Sequence, residues 1–331
     1  MPEDRIYGTF NYFHNTNQAI GTGPFPGDPV TVVDSENLAQ YTVGFEKTFC
    51  ILETPFSIDV RMPFTGGVRQ AVVNSDPFAP ENDSAAALAT GSMGNLSTAF
   101  KAYLLQVKQT SISGGLGISL PTGSPVHAAT FLNVPDNMGD PVPSFNYLDV
   151  DNSAVHLMPF LGAYQQIGKS CWLQAFTQID VPTGGNNAEL TQVVAFNGVD
   201  FVVTGIDDFR IKEQRLLYAD VSFGKWWYRN VCECGRPECT CQPRGVTGVA
   251  SILELHYTGS LNDADPVLSR GLANQFDVVN LTAGLLVELN ENWRINLAGV
   301  FPLRERGLDA NGRREDRFFD SEFALQINRF Y

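Results

Sequence analysis

Between residues 279 and 289 the chain alternates. Val279, Leu281, Ala283, Leu285, Val287 and Leu289 share one face, and Asn280, Thr282, Gly284, Leu286 and Glu288 share the other. A period of two marks a strand with one apolar side. The pattern recurs. Trp293, Ile295, Leu297, Gly299, Phe301 and Leu303 oppose Arg294, Asn296 and Ala298. Phe56, Ile58, Val60, Met62 and Phe64 oppose Ser57, Asp59 and Arg61, while Val249, Leu253, Leu255 and Tyr257 oppose Glu254 and His256. Twelve strands are predicted, at about 4–14, 38–49, 56–65, 96–109, 112–121, 156–167, 171–182, 215–229, 246–259, 276–289, 293–304 and 317–331. Segment 96–109 fits the alternation poorly. Each segment is near the ten or so residues that a tilted membrane strand requires, and no run is long enough for a membrane helix.

The connections alternate as well. Short links at 50–55, 110–111, 168–170 and 290–292 interleave with long ones at about 15–37, 66–95, 122–155, 183–214, 260–275 and 305–316. The link 230–245 is longer than the others on its side. Strands leading to the long links stop alike, at Val60-Arg-Met-Pro63-Phe-Thr-Gly66, Ile118-Ser-Leu-Pro121-Thr-Gly123 and Ile179-Asp-Val-Pro182-Thr-Gly184. Proline lacks a ladder donor and suits a strand's rim, and glycine permits the turn away. The expected fold is all-β: a transmembrane antiparallel up-and-down β-barrel of about twelve strands. It forms one domain over 1–331, with long loops on one side and short turns on the other. Aromatic residues fall at strand ends. Phe49, Phe56, Trp172, Trp226, Trp227, Tyr228, Trp293 and Tyr331 are placed in a girdle on the short-turn side. Tyr41, Phe64, Tyr257, Phe276, Phe301 and Phe319 are placed in one on the other side.

The final segment carries Phe319, Phe323, Leu325 and Ile327 on alternate positions and ends on Tyr331. It resembles the C-terminal strand of bacterial outer-membrane β-barrels, in which a terminal aromatic belongs to the assembly signal. Arg329 departs from the pattern, at a level where a long cationic side chain reaches the headgroups. Gly114-Gly-Leu-Gly-Ile-Ser-Leu-Pro-Thr-Gly123 resembles a hairpin arm of the outer-membrane family linked to phenol meta-cleavage pathways. So does Phe160-Leu-Gly-Ala-Tyr164 leading into Trp172 and Ala175-Phe-Thr177. Related planctomycete-type barrels share the architecture. The resemblance implies an outer-membrane transporter of organic substrates and carries over no substrate residue.

Composition agrees. Charged residues are 18% of the chain, with 23 Phe and 10 Tyr, so apolar material is ample and disorder is disfavoured. A mean hydropathy near zero is what strands showing lipid at every second residue produce. The net charge of −14 argues against nucleic acid as a partner. Met1-Pro2-Glu3-Asp4 is no signal peptide, and the expectation is that the numbering starts at a processed end.

Glu46, Asp59, Arg61, Asp180, Asp220, Glu254, His256, Glu288, Arg294, Asp320 and Glu322 occupy the polar faces and are expected to line a pore. Gln174 and Gln178 share those faces. The same residues could instead form a satisfied network that fills the lumen. Carboxylates outnumber bases, so a wet lumen favours cations or neutral polar solutes. Outer-membrane lipids, small solutes and, through the last strand, the outer-membrane assembly machinery are the expected partners. The alternative is a structural or surface-interaction barrel with a closed lumen and partner-binding loops. Cys232, Cys234, Cys239 and Cys241 flank a turn at Gly235-Arg-Pro-Glu238. Nested disulfides are expected of an exported chain, and four thiols at that spacing could also hold zinc or stay free. No nucleophile stands beside His256 in the sequence, and no phosphate loop or dinucleotide fingerprint occurs. Neither an enzyme nor a cofactor is expected, and no metal ligand set is assigned.

Overall fold

The structure is a computed structural model. It describes residues 2–16, 20–21, 31–32, 36–66, 69–74, 84–90, 93–135, 141–196, 200–230, 245–263, 275–290, 292–304, 314–315 and 317–331. Twelve strands form the wall: β1 Arg5–Thr16, β2 Glu36–Ile51, β3 Thr54–Thr65, β4 Leu96–Val107, β5 Thr110–Leu120, β6 His156–Ile167, β7 Cys171–Pro182, β8 Leu216–Arg229, β9 Val246–Ser260, β10 Gln275–Leu289, β11 Trp293–Pro302 and β12 Ser321–Phe330. Neighbours in the sheet follow chain order, all antiparallel. β12 returns to β1, with Arg5 opposite Phe330 and His14 opposite Ser321. The barrel is therefore closed and has no free edge, as a sheet in hydrocarbon requires.

Alternation sorts the side chains. Ile6, Val43, Leu253, Leu285 and Leu297 are exposed on the outside. Ser57, Asp59, Ser222, Thr282 and Asn328 are buried on the inside. Phe10 packs on Tyr41 and Phe323, which continues the outer belt across the β12–β1 seam.

Register shifts interrupt this order in β1, β4, β8 and β9, and those in β4 and β8 move large apolar side chains. In β4 the register shifts between Tyr103 and Leu105. Tyr103 donates its hydroxyl inward to Ser111 Oγ, while Leu104 and Leu105 are both exposed. An extra residue lets two successive leucines face lipid, which is why strict alternation fails in this strand. In β8 the shift lies between Trp226 and Tyr228, and Trp227 is the unpaired residue.

The short-turn girdle needs correcting. Trp227 and Trp293 are exposed, but Trp172 is buried and packs against Trp226 at a centroid distance of 5.2 Å, the rings tilted by 41°. The two rings form an apolar cluster inside the wall with Ala250, Leu286, Tyr164 and Ile252. Trp172 shares the parity of Gln174 and Gln178, and Gly224 of the next strand makes room for it. A Cβ at Gly224 would lie 2.1 Å from the Trp172 ring. Phe319, expected in the other girdle, is buried against Phe13.

The turn joining β2 to β3 is tight. Leu52 and Glu53 both take positive φ, as a primed two-residue hairpin demands. At the opposite end three of the expected loops are hairpins that pair with one another. Segments Arg69–Asn74, Ser84–Thr90, Val126–Pro135, Pro141–Val150, Asn186–Phe196 and Asp200–Ile211 form a six-stranded sheet in that order. Cys232, Cys234, Cys239 and Cys241 lie outside the described residues. Cys50 and Cys171 are free thiols.

Placing a charge on the outer face should be costly and on the inner face cheap. Leu285→Arg should lower stability in lipid vesicles by about 2–4 kcal/mol, with Asn280→Arg losing much less. Equal midpoint shifts in a urea titration would show that the two faces are misassigned.

Candidate functional site

Among the described residues, two cavities open inside the wall. The smaller, about 510 Å³, is bounded by Arg5, Tyr7, Asp59, Arg61, Lys101 and Phe160. The larger, about 830 Å³, is bounded by Asp220, Glu254, His256, Glu288, Arg294 and Glu322 together with the Trp172–Trp226 cluster. Thr9 and Gln326 belong to both. Ten of the eleven residues expected in the lumen stand on the inner face. Asp320 stands at the rim, before β12 begins, where it meets Arg317 and Asn15.

The smaller cavity is walled by a compensated charge cluster. Glu46 is fully buried, so its charge must be matched nearby. Arg5 Nε and Lys101 Nζ reach its Oε2 at 3.0 and 2.9 Å, and Ser57 donates to Oε1 at 2.6 Å. Lys101 also holds Asp59 at 3.0 Å, and Tyr7 donates to Asp59 at 2.9 Å. Tyr7 fits against the wall because residue 44 is glycine, where a Cβ would come 2.3 Å from its ring. Two cations thus balance two carboxylates. Arg61 faces this cavity with no ion-pair partner among the described residues. Sequence reasoning missed Arg5 and Lys101. The parity of β1 would have placed Arg5 inside, whereas Lys101 was hidden by the bulge in its strand.

Two further groups lie toward the ends. Arg294 pairs with Glu288 at 3.2 Å. His156 has Asp180 at 2.7 Å from Nδ1 and Glu213 at 2.9 Å from Nε2, so both ring nitrogens donate and the ring is an imidazolium. Glu213 belongs to the connection after the long hairpin. The His156 hydrogen bond holds its carboxyl below the usual glutamate range against the opposing effect of burial. At the short-turn end, hydrogen bonds from Lys47 and Thr48 pull the Asp4 carboxyl down to about 2.

The β8–β9 wall is different in kind. Asp220, Glu254 and His256 converge there, with His256 Nδ1 3.0 Å from Asp220 and 3.4 Å from Glu254. Glu322 lines the same cavity. Two carboxyl groups thus contact one imidazole, and a third lines the same cavity.

No protein-family model matches the chain, and no curated protein does. Solved outer-membrane barrels do. The deltaS2 mutant of the TodX monoaromatic hydrocarbon channel is 10% identical, with a TM-score of 0.50 over 99% of this chain and 89% of that one. An outer membrane channel from Pseudomonas putida F1 is 10% identical, with a TM-score of 0.48 over 100% of this chain and 97% of that one. The beta domain of the Bordetella autotransporter BrkA is 8% identical, with a TM-score of 0.47 over 99% of this chain and all of that one. At such identities the likeness shows the fold. The protein has the fold of an outer-membrane β-barrel. The solved barrels named are channels and an autotransporter domain.

Removing one member of the compensated cluster should be severe. Lys101→Met leaves Glu46 and Asp59 to share Arg5, and should cost about 3–5 kcal/mol in a vesicle-based unfolding titration. Adding Asp59→Asn should restore much of that loss, and a double variant no better than the single one would contradict the assigned pairing. The tether to Glu213 has a pH signature. Its lowered carboxyl contributes fully above the ordinary glutamate range, and the contribution is lost as pH falls through the lowered value. The protection factors of amides 212–215 should therefore fall on acidification in the native protein but stay level in Glu213→Gln.

Proposed function

We propose that the protein is a passive channel for small solutes, with a lumen whose uncompensated charge is acidic. The observation that carries this reading is the pair of interior cavities meeting at Thr9 and Gln326, with ionisable groups on their walls. A barrel serving only as a scaffold has no need of interior volume bounded by charge. Compensation is complete around Glu46 and Asp59 and incomplete around Asp220, Glu254 and Glu322. Cations and neutral solutes are then favoured over anions. The apolar stretch formed by Trp172, Trp226, Ile252 and Leu286 supports passage of solutes with a hydrophobic part. TodX, one of the similar structures, is described as a monoaromatic hydrocarbon channel.

A second reading is a closed barrel that presents its long hairpins to a partner. It is favoured by the six-stranded sheet those hairpins build and by the Trp172–Trp226 cluster, which takes up lumen space. In either case the whole chain acts as one barrel unit in contact with lipid, and its last strand is the segment offered to the outer-membrane assembly machinery.

Single-channel recording in planar bilayers separates the two. Discrete conductance steps are expected, with a reversal potential in a salt gradient that indicates cation preference. Glu254→Gln combined with Glu322→Gln should move that potential toward zero. A folded barrel that never conducts would leave the partner-presenting reading in its place.

A further inference from the structure

The β8–β9 patch holds a donor set that the surrounding ion pairs do not absorb. Asp220 lies directly opposite His256 in the ladder, and Ser222 opposite Glu254, so three side chains from two strands gather at one point of the inner wall. Their donor atoms all lie within 4.8 Å of one another. His256 Nδ1 faces Asp220 Oδ1 at 3.0 Å and Glu254 Oε1 at 3.4 Å. A single N–H points well at one acceptor and not at two. In a tetrahedral zinc site with bonds of roughly 2.0–2.2 Å, neighbouring ligand atoms stand about 3.3–3.6 Å apart. The 3.4 Å spacing falls in that range and the 3.0 Å spacing lies just below it.

An independent observation comes from the next strand. Register places Asn280 opposite His256 and Thr282 opposite Glu254, on the same inner face. Thr282 is 9% exposed. Its Oγ1 and the Asn280 Oδ1 are buried with no hydrogen-bond partner. Buried oxygens left unmatched are destabilising. Beside three converging ligand atoms, they are placed to hold a water bound to an ion.

We infer that Asp220, Glu254 and His256 bind a divalent transition metal of the zinc, nickel or copper class. The fourth position is a water facing the lumen, hydrogen-bonded by Thr282 and Asn280. One imidazole with two carboxylates suits these ions, whereas calcium takes six to eight oxygens and magnesium a near-ideal octahedron. Binding neutralises two carboxylates of the acidic wall. A bound ion would therefore weaken cation preference, a consequence that rests on the channel reading, while the binding itself does not.

The test uses the full chain refolded in detergent, freed of metal, with its six cysteines alkylated so that thiols cannot contribute. Folding of every variant is checked by heat-modifiable gel migration. Titration with cobalt(II) should give the visible absorption of a four-coordinate ion at one equivalent, displaced by zinc. His256→Ala and Glu254→Gln should each weaken binding at least tenfold, and Thr282→Val should keep the stoichiometry with an altered spectrum. Absence of stoichiometric binding in the folded native chain, or unchanged binding in His256→Ala, would overturn the site in favour of a protonated imidazole between two carboxylates. The titration needs no conductance, so a silent bilayer would count against the channel reading alone.

Discussion

Hydrocarbon offers no hydrogen bonds, and from that constraint the rest of the molecule follows. Every N–H and C=O at membrane depth must be matched within the wall, so the sheet has to close. Closure here is a ten-residue ladder between β12 and β1, from Arg5–Phe330 to His14–Ser321. Once the sheet is a cylinder, each residue has one of two fates by parity. Period two thereby decides what meets lipid and what meets the interior, and a bulge is the only local device that changes the assignment. The bulges at Leu104 and Trp227 use it to turn an additional large apolar side chain outward.

The interior is bounded by the same geometry. A cylinder wall places side chains from opposite strands in one confined volume, so bulky rings need recesses. Gly44 and Gly224 supply them for Tyr7 and Trp172. Charges need partners, and Glu46 has two cations and a hydroxyl within reach. This cluster joins β1, β2, β3 and β4, and Asn328 of β12 adds a bond to Arg5. It thus braces the barrel across its seam, where covalent continuity is lacking.

Much of the wall was legible in the sequence because one physical cause, the apolar exterior, writes itself at every second residue. Strands β6 and β7 match the predicted spans residue for residue. β4 lies within the span predicted at 96–109, but its facing was illegible for the converse reason: its bulge breaks the period, and with it the inward placement of Lys101 was lost. Trp172 was misplaced although its parity was plain. Ring size suggested an interface, and the recess at Gly224 exists only once β7 lies beside β8. The long hairpins were missed because their strands pair chiefly with one another, away from the lipid whose exclusion of water makes the pattern sharp. Convergence of Asp220 with His256 depends on the β8–β9 register, which no spacing along the chain reveals.

What the interior does electrically depends on where compensation stops. Arg5 and Lys101 cancel Glu46 and Asp59, and Arg294 cancels Glu288. His156 divides itself between Asp180 and Glu213 at the long-hairpin end. Asp220 and Glu254 share one imidazole, His256, and Glu322 has no ion pair among the described residues. Arg61, across the shared residues in the smaller cavity, is a cation without a paired carboxylate among the described residues. The net charge of −14 is therefore a poor guide to the lumen, since most interior charges are matched in pairs. The field a solute would meet comes from a few unmatched groups on facing walls. In a low-dielectric cylinder such groups act over longer distances than they would on a wetted surface.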